Sequence, residues 1–199
     1  MMRIRPSTPP RKSGSKQRRD YLNDIVLITR AFNFASSRHS EQRRKGQAQE
    51  PYVNHLAEVA ELVAETTNGN DANLVAAALL HDTIEDTHTQ PNELVTLFNE
   101  DIASLVGEVT DDTTLLKAER KKIQIANAPK KSPRAKILKL ADKTSNLRSI
   151  AKSPPKNWDS SRKAEYINWA VKVVEGLGTV PTGLKSHFEK AAQTARDSI

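Results

Sequence analysis

The segment Leu74-Val75-Ala76-Ala77-Ala78-Leu79-Leu80 is an apolar run of core-helix length that passes without a break into His81-Asp82, with Glu85-Asp86 close behind. A soluble helical chain should put only apolar side chains there. Burying a carboxylate or an imidazole is costly unless it is paired or bound to a metal. Two further polar residues stand on apolar faces. His55 lies among Tyr52, Leu56, Val59 and Leu62, and Asp142 follows Leu138 and Ala141. Any fold for this chain must therefore bury a core helix and bring charged side chains from distant segments into reach of one another.

The apolar period is helical almost throughout. Leu22, Ile25, Val26, Thr29, Phe32 and Ala35 mark a first helix ending near His39, and Tyr52 to Val63 mark a second, stopped by Asn68-Gly69. A third is predicted from about Asp71 to about Asp82, and Pro91 sits inside the first turn of the next. That segment carries Leu94, Val95 and Phe98 and continues through Ile102, Leu105 and Val109. Further helices are expected at Leu116–Ala126, Pro133–Ser149, Ser160–Glu175 and Thr182–Ala195, separated by proline-rich breaks. No segment reads as a strand. The expected architecture is all-α, a single-domain irregular helical bundle over residues 21–199.

Residues 1–20 are a different matter. Seven cations, Arg3 to Arg19, oppose Asp20 alone, so this stretch carries six of the seven net positive charges. Its prolines and serines predict a disordered basic tail. A weak nucleic-acid contact through it is open, as is a solvated extension that aids solubility.

Composition closes several routes. With no cysteine there is no disulfide, no thiolate nucleophile and no cysteine zinc site. No apolar stretch is long enough to span a bilayer and no apolar region backs the basic N-terminus, so neither a membrane partner nor a secretory signal is expected, and a cytoplasmic location is. A metal here would be bound through histidine nitrogen and carboxylate oxygen, a donor set suited to Mn, Zn or Fe(II). Oligomeric state is left open.

Singly, His55 reads as a core histidine, Asp142 as half of a buried ion pair and Glu85-Asp86 as solvated acids. Together, His55, His81, Asp82 and Asp142 read as a metal site. Glu85 and Asp86 then stand beside it, where one carboxylate can orient or deprotonate a water and another can handle the leaving-group proton. Arg43, Arg44 and Lys45 precede His55, and Lys139, Lys143 and Arg148 flank Asp142, with Asn146 one turn beyond it. Cations on both sides of a metal suit a polyphosphate ester, and no Gly-rich phosphate loop is present.

The ordered set Arg43-Arg44-Lys45, Pro51-Tyr52-Val53-Asn54-His55, Leu79 to Asp86, and Leu140-Ala141-Asp142-Lys143 to Asn146-Leu147-Arg148 resembles the HD-domain alarmone hydrolases. These comprise the hydrolase half of the Rel/SpoT proteins and the small alarmone hydrolases. Fainter matches lie at Val109 to Asp112, Leu116 to Arg120 and Glu165-Tyr166 with Trp169-Ala170. The resemblance implies one metal, usually manganese, on His55, His81, Asp82 and Asp142, with Glu85 and Asp86 at the attacking water. It implies nucleotide contacts from Arg44, Lys45, Asn146 and Arg148, to which Lys143 and Tyr166 are added as substrate-binding candidates. The implied reaction removes the 3′-pyrophosphate of guanosine tetra- or pentaphosphate, giving GDP or GTP, as in the small, hydrolase-only type. Leu56 and Thr144-Ser145 depart from the family's usual residues, and the second departure puts base preference in question. Other nucleotides, such as an adenine alarmone, a deoxynucleotide or the 2′-phosphate of NADPH, remain alternatives, as does a non-enzymatic nucleotide- or nucleic-acid-binding protein.

Overall fold

The computed structural model describes the backbone of residues 14–199 and the side chains of residues 23–199. The expected basic tail, with its nucleic-acid contact, lies outside the described residues as far as residue 13. The helices are α1 (Gly14–Arg38), α2 (Val53–Thr66), α3 (Ala72–Leu80), α4 (Thr83–Asp86), α5 (Pro91–Leu97) and α6 (Glu100–Val109). They continue as α7 (Lys117–Asn127), a 3-10 turn over Ala128–Lys130, α8 (Pro133–Lys152), α9 (Ser160–Gly176) and α10 (Thr182–Asp197). No strand occurs among the described residues, and no described helix is long and apolar enough to cross a membrane. The all-α bundle expected from the apolar period is the observed fold.

Every residue of the run Leu74–Leu80 is buried, because α1, α2, α6 and α8 surround α3. Asp71 caps α3 by accepting the Leu74 N–H at 3.0 Å, satisfying one of the donors that a helix start leaves open. The same device starts α6 from Asn99, α8 from Ser132 and α9 from Asp159. Positive φ at Asn68 and Gly69 lets the Gly69 N–H reach back to the Ala64 carbonyl and end α2 where the Asn-Gly pair predicts. Helix α8 is the axle of the bundle, packing on α2, α6, α9 and, most extensively, α10.

Two expectations need correction. The expected apolar stripe of α1 runs largely outward: Ile25, Val26 and Phe32 are exposed, whereas Ala31 and Ala35 are buried and Leu27, Ile28 and Phe34 pack against the core. This helix is apolar on more than one side, so period alone cannot choose the buried face. The third helix also stops two residues early. His81 and Asp82 form a non-helical joint between α3 and the single turn α4, which re-aims the chain at the point where the polar residues begin.

The segment between α1 and α2 is folded back on itself. The Arg44 N–H donates to the Glu50 carbonyl at 2.9 Å and the Tyr52 N–H to the Gln42 carbonyl at 3.0 Å, with isolated bridges joining Arg43 to Pro51 and Gly46 to Pro155. What reads in the sequence as a basic loop is a pinned ribbon lying against the end of α8.

Candidate metal centre

α2, the α3–α4 joint and α8 each direct polar groups at one spot. His55 enters from the first turn of α2, His81 and Asp82 from the joint, and Asp142 from the middle of α8. The imidazoles of His55 and His81 lie edge to face with centroids 5.2 Å apart. His55 Nε2 is 3.6 Å from Asp82 Oδ2 and 3.6 Å from Asp142 Oδ1; His81 Nε2 is 3.0 Å and 3.9 Å from the same two oxygens. Ligand atoms of His55, His81 and Asp82 all fall within 4.8 Å of one another.

The orientation of the rings is the informative part. Each histidine uses Nδ1 elsewhere, His55 on Ser145 Oγ at 2.8 Å and His81 on the Ala78 carbonyl at 2.8 Å. Each buried Nε2 is left without a hydrogen-bond partner. A buried ring nitrogen without a partner is rare in a folded protein. Two of them aimed at two carboxylates form a donor set that fits a divalent cation, and the chain can hold one here.

The electrostatics agree. Burial disfavours the charged form of His81, but Asp82 and Asp142 outweigh it and push its pKa up to about 9. Burial dominates at His55, whose pKa is lowered. Burial works against ionisation of Asp82 and Asp142 too, yet His81 beside the first and Lys143 beside the second hold both carboxyls well below the usual range. Two carboxylates are thus kept charged inside the protein.

A cavity of about 420 Å³ adjoins the cluster, lined among others by Arg44, Lys45, Tyr52, Asp86, Asn146 and Tyr166. Tyr52 and Asn146 are the shared wall: the Tyr52 hydroxyl donates to Asp82 Oδ2 at 2.6 Å, and the Asn146 amide donates to Asp142 Oδ1. Asn146 Oδ1 in turn accepts from Arg44 Nη2 at 2.9 Å, tying the ribbon to α8. Trp158 and Tyr166 line the cavity with ring centroids 5.4 Å apart, and Trp169 continues the tilted row behind them, 5.2 Å from Tyr166.

Glu85 and Asp86 face different surroundings. Asp86 lines the cavity and accepts from Gln42 Nε2 at 2.8 Å. Glu85 accepts from the Asp111 N–H and from Arg120 Nη1, each at 3.2 Å. Burial, then the charges of Asp111 and Asp82, raises its pKa above the ordinary glutamate value.

Three expected cations do not reach the cavity. Lys143 is buried with its ammonium 3.0 Å from Asp142 Oδ2 and over the Trp169 ring, so it serves as a counter-ion to the cluster. Lys139 is buried and donates to the Val109 carbonyl at 3.0 Å. Arg148 points to the other side of α8, where it pairs with Glu58 at 2.9 Å and meets His187 Nδ1 at 3.0 Å. Two residues past Asn146 on a helix is about 200° around the axis, so the two cannot share a face. Thr144 and Ser145 are buried and bonded within the protein, Thr144 to the Leu140 carbonyl and Ser145 to His55 and Glu58, and neither is among the residues lining the cavity.

In the sequence Tyr52 and Gln42 carry no site role, and Ser145 is marked only as a departure from the family's usual residue that bears on base preference. Tyr52 is visible there as an apolar neighbour of His55, three residues away and so on the same helical face, and as part of the motif Pro51 to His55, with no role attached. Nothing in the spacing signals Ser145 or Gln42, because their partners lie on other elements.

Residues 31–169 match the family model for the HD domain. The chain is 45% identical over 155 residues to guanosine-3′,5′-bis(diphosphate) 3′-pyrophosphohydrolase MESH1 of Xenopus tropicalis, covering 78% of this chain and 87% of that protein. The human protein of the same name gives the same identity and coverage, 45%, 78% and 87%. Among solved structures, one described as a metazoan ortholog of SpoT that hydrolyses ppGpp superposes with a TM-score of 0.81 at 39% identity, over 84% of this chain and 94% of that one.

Proposed function

This chain belongs to the HD-domain family, and from that premise we propose that it is a metal-dependent hydrolase of (p)ppGpp-type alarmones, removing the 3′-pyrophosphate to leave GDP or GTP. The observation that carries the reading is the pair of partnerless Nε2 atoms of His55 and His81 facing Asp82 and Asp142, next to a cavity walled by cations and aromatic rings. Similarity to proteins named for this reaction supports the substrate class.

In this reading His55, His81, Asp82 and Asp142 hold the ion, with manganese as the proposed metal and zinc or ferrous iron as alternatives. A divalent ion there would polarise a phosphoryl oxygen and lower the pKa of bound water. Glu85 is the proton-handling carboxylate. Arg120 and the Asp111 N–H fix its position, and its raised pKa makes it a better proton acceptor than an exposed glutamate. Asp86, held by Gln42, orients water at the cavity wall. Arg44 and Lys45 meet the phosphates, Asn146 holds Arg44 and Asp142 in register, and Tyr166 offers its ring to the nucleoside. Lys143 acts indirectly by keeping Asp142 ionised. The cytoplasm is the proposed compartment.

The test is release of phosphate and pyrophosphate from guanine alarmones, adenine alarmones and NADPH, with added manganese and with chelator. The proposal expects pyrophosphate from the guanine compounds, abolished by chelator. Phosphate from NADPH with no guanine activity would replace it with the NADPH alternative.

A further inference from the structure

A line of bonded polar groups leaves the cluster through the back of His55. His55 Nδ1 lies 2.8 Å from Ser145 Oγ, Ser145 Oγ donates to Glu58 Oε2 at 2.6 Å, and Glu58 Oε1 accepts from Arg148 Nη1 at 2.9 Å. His55 and Ser145 are buried, and Glu58 is half-buried on the face of α2 turned to α8. The chain therefore runs from the interior out to a surface arginine.

Proton counting along this line leaves one arrangement. A serine hydroxyl has a single proton. Glu58, bonded to Arg148, is an ionised carboxylate that only accepts, so Ser145 must give its proton to Glu58. Ser145 Oγ then has only lone pairs left for His55, and Nδ1 must be the donor. A neutral imidazole protonated on Nδ1 has its free lone pair on Nε2, the atom that faces His81, Asp82 and Asp142. In water the opposite tautomer is the commoner one, so the preference has to be imposed.

We infer that Glu58, acting through Ser145 and clamped by Arg148, is a positioning residue that keeps the His55 proton on Nδ1 and presents its Nε2 lone pair to the metal. The carboxylate also makes the imidazole a better donor, as carboxylate partners of metal-bound histidines do. Arg148 holds Glu58 in the ionised, correctly turned state. This gives a role to an arginine that the sequence assigns to substrate and that the fold turns away from the cavity.

The inference rests on the metal reading of the four-residue cluster, but the two fail separately. The tautomer can be read without metal, from long-range nitrogen–proton correlations of the His55 ring in the metal-free protein. Manganese affinity is read by calorimetry on the same samples. Ser145→Ala should weaken manganese binding roughly ten- to a hundredfold and mix the His55 tautomers. Glu58→Leu should do more to the tautomer: with its acceptor gone, Ser145 turns its proton onto Nδ1 and drives the ring proton to Nε2. Ser145→Thr keeps the hydroxyl and should restore both readouts. A His55 proton found on Nε2 in the unaltered chain overturns the inference. So does a manganese affinity within twofold of the unaltered value in both Ser145→Ala and Glu58→Leu. If Ser145→Ala does not fold, Glu58→Leu, at a half-buried position on a helix, carries the same test.

Discussion

Tyr52 occupies the point where the cavity meets the cluster, with its hydroxyl on Asp82 and its ring stacked on His39 at a centroid distance of 5.0 Å. Tyr52→Phe keeps the ring and removes the bond to Asp82, so stability should hold while manganese affinity falls severalfold, as read by calorimetry. Asp82→Ala removes a ligand and should abolish metal binding and turnover together. Glu85→Ala should bind metal normally and lose roughly 10²- to 10⁴-fold in turnover, the usual contribution of a positioned proton carrier. A Glu85→Ala chain with full activity would remove Glu85 from that role. The proton on His81 has a consequence of its own. Its pKa of about 9 means that metal must displace a proton at neutral pH, so apparent affinity should rise with pH and level off near that value. Calorimetry in buffers of different ionisation enthalpy would count the proton released. These roles were unevenly legible. His55, His81, Asp82 and Asp142 stand out in the sequence because each is a charged or polar residue on an apolar face. Ser145 and Glu58 do not: Glu58 looks ordinary alone, Ser145 shows only as a departure from the family's usual residue, and both acquire this role only across two helices.

Among the elements, the ribbon between α1 and α2 is the most exposed to a single change. Gly46 lies against the chain after α8, and a Cβ there would collide with the Ser153 carbonyl oxygen, a backbone atom that cannot swing away. Gly46→Ala should push the ribbon off α8 and carry Arg44 and Lys45 with it. The expected result is a raised KM for the nucleotide with metal affinity unchanged, because the four ligands sit on other segments. An unaltered KM would show that the two cations act from elsewhere. Helix positions were largely readable from apolar spacing, from the stop at Asn68-Gly69 and from the proline-rich breaks. The joint at His81-Asp82 was not, since an unbroken apolar run gives no reason to stop; at the joint the His81 ring and the Thr83 hydroxyl bond the Ala78 and Leu80 carbonyls. The outward stripe of α1 was misread for the opposite reason: two apolar faces compete, and the choice belongs to the partners α1 meets.

At the scale of the whole molecule, the cluster ties α2, the α3–α4 joint and α8 together through charges that have no business in a core unless something binds them. An ion that binds only the folded chain stabilises it by mass action, roughly 2.7 kcal/mol at about a hundred times Kd. For a domain of this length that corresponds to a rise in Tm of roughly 5 to 10 °C. Manganese should produce that rise in the unaltered chain and none in Asp82→Ala, as followed by thermal denaturation with and without chelator. Everything proposed about the reaction depends on one cation held at this place. Titration of manganese into the metal-free chain, repeated with His55→Ala, His81→Ala, Asp82→Ala and Asp142→Ala, tests it. The expected outcome is one ion per chain, lost or sharply weakened by each of the four changes. A chain that binds no ion, or one whose binding survives all four substitutions, would contradict it.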